Sequence, residues 1–81
     1  ADGVDVFSGI YTPQIEEAAL SQKMIEIANR VIVVCDSSKF GRKSFVKIGE
    51  LKDIDVIITD NKVKEKDIEK LLEKDITIDI V

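Results

Sequence analysis

The sequence predicts an α/β protein built on a parallel sheet with flanking helices, and three observations carry that prediction. Two β-branched runs without polar alternation, residues 31–35 and 54–59, read as strands covered on both faces. Helical apolar spacing precedes the first run and follows the second. The order helix, strand, crossover, strand, helix, strand is that of parallel strands joined by right-handed crossovers.

The first helix is expected from Thr12. Its hydroxyl can accept a hydrogen bond from an early backbone N–H, Pro13 suits the first helical position, and Glu16 and Glu17 suit the positive end of the helix. Leu20, Met24, Ile27, Ala28 and Val31 then recur at i, i+4, i+7, i+8 and i+11, one stripe that needs a partner surface. Residues 31–35 supply it as a central strand. After the mixed crossover 36–53 comes the second strand, 54–59. A helix over 63–74 follows, with Ile68, Leu71 and Leu72 on one side. Residues 76–81 close the chain as a strand with Ile76, Ile78 and Ile80 on one face and Thr77 and Asp79 on the other, a pattern of an edge or of a face left for a partner. Three strands make a thin sheet whose apolar faces stay partly bare. The expectation is therefore a partial domain, completed by strands from upstream or from another chain.

Eighty-one residues make one domain at most, and 44% hydrophobic with 35% charged residues is a globular mixture, too apolar for disorder. The longest fully apolar run has five residues, far below the roughly 20 of a membrane-spanning helix. Twelve Lys and Arg against 16 Asp and Glu give a net charge of −4, the wrong sign for a duplex-binding module. With no His and one Cys, the chain by itself cannot build a zinc site, a Ser-His-Asp triad, a Cys-His pair or an internal disulfide. Cys35, inside an apolar run, reads as a small core hydrophobe. The first five residues lack the basic and apolar segments of a secretory signal, and the absence of a starting Met fits a fragment or a processed product.

In open α/β sheets ligands bind beyond the carboxyl ends of the strands. That edge collects Asp36, Ser37, Ser38, Lys39, Phe40, Gly41 and Arg42 after the first strand, Thr59, Asp60 and Asn61 after the second, and Glu16 and Glu17 at the start of the first helix. Converging acids and a lysine suit a polyhydroxylated, anionic small molecule. Each residue also has a plainer role: Asp36 and Ser37 as turn caps, Lys39 as a surface lysine, the two glutamates as dipole partners, Asp60 and Asn61 as a turn. Gly3 and Gly9 form no phosphate loop, and no cofactor motif is present.

Residues 1–5 (Ala-Asp-Gly-Val-Asp), 11–18 (Tyr-Thr-Pro-Gln-Ile-Glu-Glu-Ala), Met24-Ile25, Arg30-Val31-Ile32, 36–41 (Asp-Ser-Ser-Lys-Phe-Gly) and 54–60 (Ile-Asp-Val-Ile-Ile-Thr-Asp) make the chain recognisable: it resembles the effector-sensing domain of DeoR-family bacterial transcriptional repressors. The resemblance covers nearly all 81 residues, as the C-terminal half of that sensor. It implies a three-layer, Rossmann-like parallel sheet similar to ribose-5-phosphate isomerase, a phosphorylated sugar or polyol as effector, and a cytoplasmic, oligomeric parent whose operator DNA is held by an N-terminal helix-turn-helix outside this chain. It implies no catalysis, no metal and no cofactor. By the same resemblance Asp2, Glu17 and Lys39 face the effector and Asp36 orients the lysine loop. The chain departs from the family pattern at Ala19, where members often carry an acid, and at Ser21, where they carry a basic residue. The alternative is a fragment of a phosphosugar isomerase-like enzyme, but such enzymes typically place a second acid where Gly3 stands and a glycine-rich turn at 11–14. A plain interaction domain without ligand is the third reading.

Overall fold

The computed structural model describes residues 2–81; Ala1, the first residue of the Ala-Asp-Gly element, lies outside the described residues. The elements are β1 (Gly3–Asp5), β2 (Gly9–Thr12), α1 (Ile15–Ile27), β3 (Ile32–Val34), β4 (Val46–Gly49), β5 (Val56–Thr59), α2 (Glu65–Glu73) and β6 (Thr77–Ile80), with 3₁₀ turns at Ser37–Lys39 and Leu51–Asp53. Among the described residues they form a mixed α/β structure with two three-stranded sheets. One is parallel in the order β3-β5-β6, and the other is antiparallel in the order β1-β2-β4.

The parallel sheet contains the three strands expected, with β6 at one edge. Its centre is β5, where Val56, Ile57 and Thr59 are buried; a central strand must be apolar on both faces. The run at 31–35, expected to be central, is instead the other edge. Only Val33 of β3 is buried, while Ile32 is 51% and Val34 65% exposed, because β5 is the one described strand bonded to β3.

Residues 3–12 and 46–49 pair into a second sheet that the crossover reading does not contain. Val4 lies opposite Ile10, Ile10 opposite Gly49 and Thr12 opposite Val46, with an irregularity between Ile10 and Tyr11. The two sheets meet at a seam where Val4 bridges Phe40 and the Gly41 N–H donates to the Val4 carbonyl at 2.7 Å. One core serves both sheets: Val4, Val6, Ile10, Val33, Leu51, Ile54, Ile57, Leu71 and Ile76.

Pairing with Val46 holds Thr12 in β2, so α1 begins two residues later than expected, at Ile15 instead of Pro13. Gln14 occupies the N-cap position without a side-chain cap, and the Thr12 hydroxyl is buried with no hydrogen-bond partner among the described residues. The helix packs chiefly on β4 and β2 and leaves an open groove toward the run that follows it. Ala18 and the half-buried Ile25, seven residues apart on one face, therefore point inward. The expected stripe turns away: Leu20, Met24 and Ile27 are 64%, 57% and 71% exposed. In α2 likewise, Leu71 is fully buried and Ile68 half-buried, but Leu72 is exposed. Cys35 is half-buried against the core, and burial raises its thiol pKa, in keeping with a packing role. Among the described residues no helix is long and apolar enough to cross a membrane.

Candidate functional site

The carboxyl ends of β3 and β5 lie side by side, since Val34 pairs with Ile58. Just past each strand end stands a carboxylate that organises backbone. Asp36 caps the 3₁₀ turn Ser37–Lys39 by accepting the Ser38 N–H at 3.0 Å and the Ser38 hydroxyl. Asp60 accepts the Ser37 N–H at 2.8 Å with one oxygen and the Lys62 N–H at 2.9 Å with the other, tying the two strand ends together. The Ser38 hydroxyl and amide hold the Asp36 pKa below the ordinary carboxylate range; the Ser37 and Lys62 amides do the same for Asp60. The plainer reading of Asp36 and Asp60, as turn residues, is therefore realised in the geometry.

These bonds favour the ionised forms, so both folded pKa values lie below their unfolded values. Their contribution to loop order is present above the unfolded carboxylate pKa and is lost as pH falls through the lowered folded values. Loop 36–43 should keep the same amide exchange from pH 5 to 8, corrected for the intrinsic rate, and loosen only in acid, below about pH 4. Asp60→Ala should raise Ser37 and Lys62 amide exchange about tenfold or more at neutral pH. Unchanged exchange in that variant would show that Asp60 does not anchor the loop.

Past the turn, Lys39 and Asp2 come to one cavity of about 280 Å³, lined also by Pro13, Arg42, Lys43 and Ser44. The backbone approach that closes this cavity depends on Gly3: a Cβ there would collide with the Arg42 carbonyl oxygen. On its other flank, a cavity of about 130 Å³ is lined by Ser37, Phe40, Gly41, Lys62, Lys64, Lys66 and Asp67. Six of the chain's twelve cations thus line the two cavities, so an acidic protein presents a locally basic edge. A larger cavity of about 510 Å³, near the C-terminal end of α1, contains Glu26 and Asp53 and no cation, and suits an anion poorly.

Of the four residues singled out from sequence, Asp2 and Lys39 share the cavity, Asp36 holds the turn that carries Lys39, and Glu17 is exposed on α1 and absent from the cavity lining. Sequence reasoning places Arg42 at this edge without a ligand role and misses Lys43 as a cavity residue. The signal for Lys43 is its place directly after Arg42, extending the charge of that turn by one residue. Among the described residues no cluster of His, Cys, Asp or Glu could hold a metal ion.

The family model for the DeoR C terminal sensor domain matches residues 1–61. The HTH-type transcriptional regulator GlpR of Haloferax volcanii is 38% identical over 77 residues, 95% of this chain and 30% of that protein. The putative aga operon transcriptional repressor of Escherichia coli O157:H7 is 39% identical over 80 residues, 99% of this chain and 30% of that protein. The L-fucose operon activator of Haemophilus influenzae is 30% identical over 63 residues, 78% of this chain and 25% of that protein. The chain therefore spans less than a third of the length of these relatives.

Proposed function

The chain belongs to the DeoR family, matching the C terminal sensor domain, and on that premise we propose that it is the effector-binding portion of a transcriptional repressor of carbohydrate metabolism. The effector is a phosphorylated sugar or polyol. One observation carries this reading: a single cavity joins the Asp2 carboxylate to Lys39, Arg42 and Lys43. Carboxylates accept from sugar hydroxyls, while lysine and arginine pair with phosphate. A relative named for an L-fucose operon supports a carbohydrate role.

In this reading Asp2, Glu17 and Lys39 face the effector and Asp36 orients the lysine loop. Glu17 contacts the effector from outside the present cavity. At about 280 Å³ that cavity is at the small end for ligand sites, consistent with further walls supplied by the rest of the longer protein. Residues 1–81 are then the C-terminal part of a sensor domain whose full sheet is three-layered and Rossmann-like. The parent is a cytoplasmic homo-oligomer without enzymatic activity, and its operator is bound by an N-terminal helix-turn-helix that this chain does not contain.

The test is calorimetric titration of the full-length regulator with a panel of sugar and polyol phosphates. Lys39→Ala should weaken the best effector about tenfold to a hundredfold, the loss expected for one charge-assisted contact. Absence of saturable binding across the panel, or binding indifferent to Lys39→Ala, would count against the proposal.

A further inference from the structure

We infer that the smaller cavity on the far flank of loop 36–43 is a second anion site, separate from the cavity of Asp2 and Lys39, that takes a single phosphate group, either free or at the end of a small molecule. Three lysines build it. Lys62, Lys64 and Lys66 line a space of about 130 Å³ against Ser37 and Phe40. Residues two apart on a helix do not face the same way, yet these three reach one cavity, because Lys64 is still extended at φ −73° and ψ 142° and only Lys66 has entered α2.

The placement of these lysines runs against local physics. The start of a helix favours acids and a side-chain acceptor at the N-cap, and Glu65 and Asp67 in the first turn of α2 follow that rule. The lysines break it. Lys64 stands at the N-cap with no acceptor to offer, and Lys62 and Lys66 add like charge on either side. Elsewhere Lys23, Lys47 and Lys70 each pair with an acid three residues on, at Glu26, Glu50 and Glu73, whereas none of the three cavity lysines forms an ion pair among the described residues. Local rules are broken in this way at functional sites, where the compensating charge comes from a ligand.

Charge and volume select the ligand. Three lysines against the one carboxylate of Asp67 leave the lining two positive charges in excess, a match for the charge of about −1.5 to −2 on a phosphate group near neutral pH. Lysine suits phosphate as a point charge with three donors. The volume is well below the roughly 300–1,000 Å³ of sites that enclose a whole small molecule, so the cavity holds one oxyanion, and the rest of any larger ligand lies outside it. Its walls are tied together. Asp60 accepts the Ser37 N–H at 2.8 Å and the Lys62 N–H at 2.9 Å, which holds the turn and the approach to α2 at one spacing.

Calorimetric titration of the full-length regulator with inorganic phosphate, at an ionic strength held constant with chloride, tests the site. The three lysines are exposed, so the double variant Lys64→Gln, Lys66→Gln should keep the parent's circular dichroism while its phosphate affinity falls about tenfold or more. Lys39→Ala should change that affinity less than about twofold, since Lys39 lines the other cavity. Equal affinity in the parent and the double variant would mean an adventitious ion only and would overturn the inference, as would the absence of saturable binding. Phosphate binding lost in Lys39→Ala and kept in the double variant would overturn it too, by placing the anion in the effector cavity. A sugar bisphosphate and its monophosphate then separate the two sources. A loss in the double variant confined to the bisphosphate assigns the site to an end group; no loss for either sugar, with free phosphate still affected, assigns it to free phosphate. The phosphate titration needs no effector, so its result and that of the effector panel stand or fall separately.

Discussion

Gly9→Ala should cost about 2–5 kcal/mol of stability, the combined effect of a strained backbone and a backbone collision. Gly9 begins β2 with φ at +140°, a region that side-chain-bearing residues rarely adopt. A residue with a Cβ would lose about 1–2 kcal/mol to left-handed geometry alone. Its Cβ would also run into the Gly49 carbonyl oxygen on β4 and stand 3.1 Å from Lys47 Cε. The lysine can move aside. The carbonyl cannot, because Gly49 is paired with Ile10, and shifting β4 would disturb the packing of Gly49 beside Ile25 of α1. Overpacking of this kind adds about 1–3 kcal/mol. In a domain of this size the thermal midpoint should fall by about 10 °C or more, measured by circular dichroism. A midpoint within a degree or two of the parent would mean that the antiparallel sheet does not close as described.

Ile57→Ala should cost about 2–5 kcal/mol, because the lost methyl groups leave a cavity that the sheet cannot collapse into. Ile57 is fully buried on the central strand, opposite Val33 on one side and Ile78 on the other, and it shares the core with Leu71 and Ile76. Ile57→Val separates packing from strand preference. It keeps the β-branch and removes one methylene, so about 0.5–1.5 kcal/mol is expected. Chemical denaturation of the two variants at an unchanged slope gives the comparison directly. Equal losses would place the cost in something other than buried volume.

The parallel half of the fold is legible in the sequence because its signals are local. Residues 54–59 and 76–81 declare strand and edge by composition and alternation, and the charged, periodic stretch 63–74 declares a helix. The antiparallel half is not legible in this way. Strands β1, β2 and β4 have three or four residues each, and their identity comes from partners such as Val46 for Thr12, a pairing across the whole of α1 and β3. Thr12-Pro13 is as good a helix start as it is a strand end, and only the distant partner decides. The run 31–35 misleads for a different reason. Apolarity on both faces suggests a strand flanked on both sides, whereas β5 is the one described strand bonded to β3, and Ile32 and Val34 stay exposed. For the site, the turn 36–42 is found by its place at the sheet edge. What local reasoning does not supply is the seam that brings Asp2 from the other end of the chain to Lys39.

That seam has a kinetic consequence. Joining Val4 to Phe40 encloses α1 and β3 in one loop, so the ordering entropy of 35 intervening residues opposes the contact until other packing offsets it. Hairpin β1–β2 and helix α1 depend on near neighbours and can form early. The Asp2–Lys39 cavity needs the long closure, so its formation is tied to the joining of the two sheets at Val4 and Phe40 and not to either local element alone.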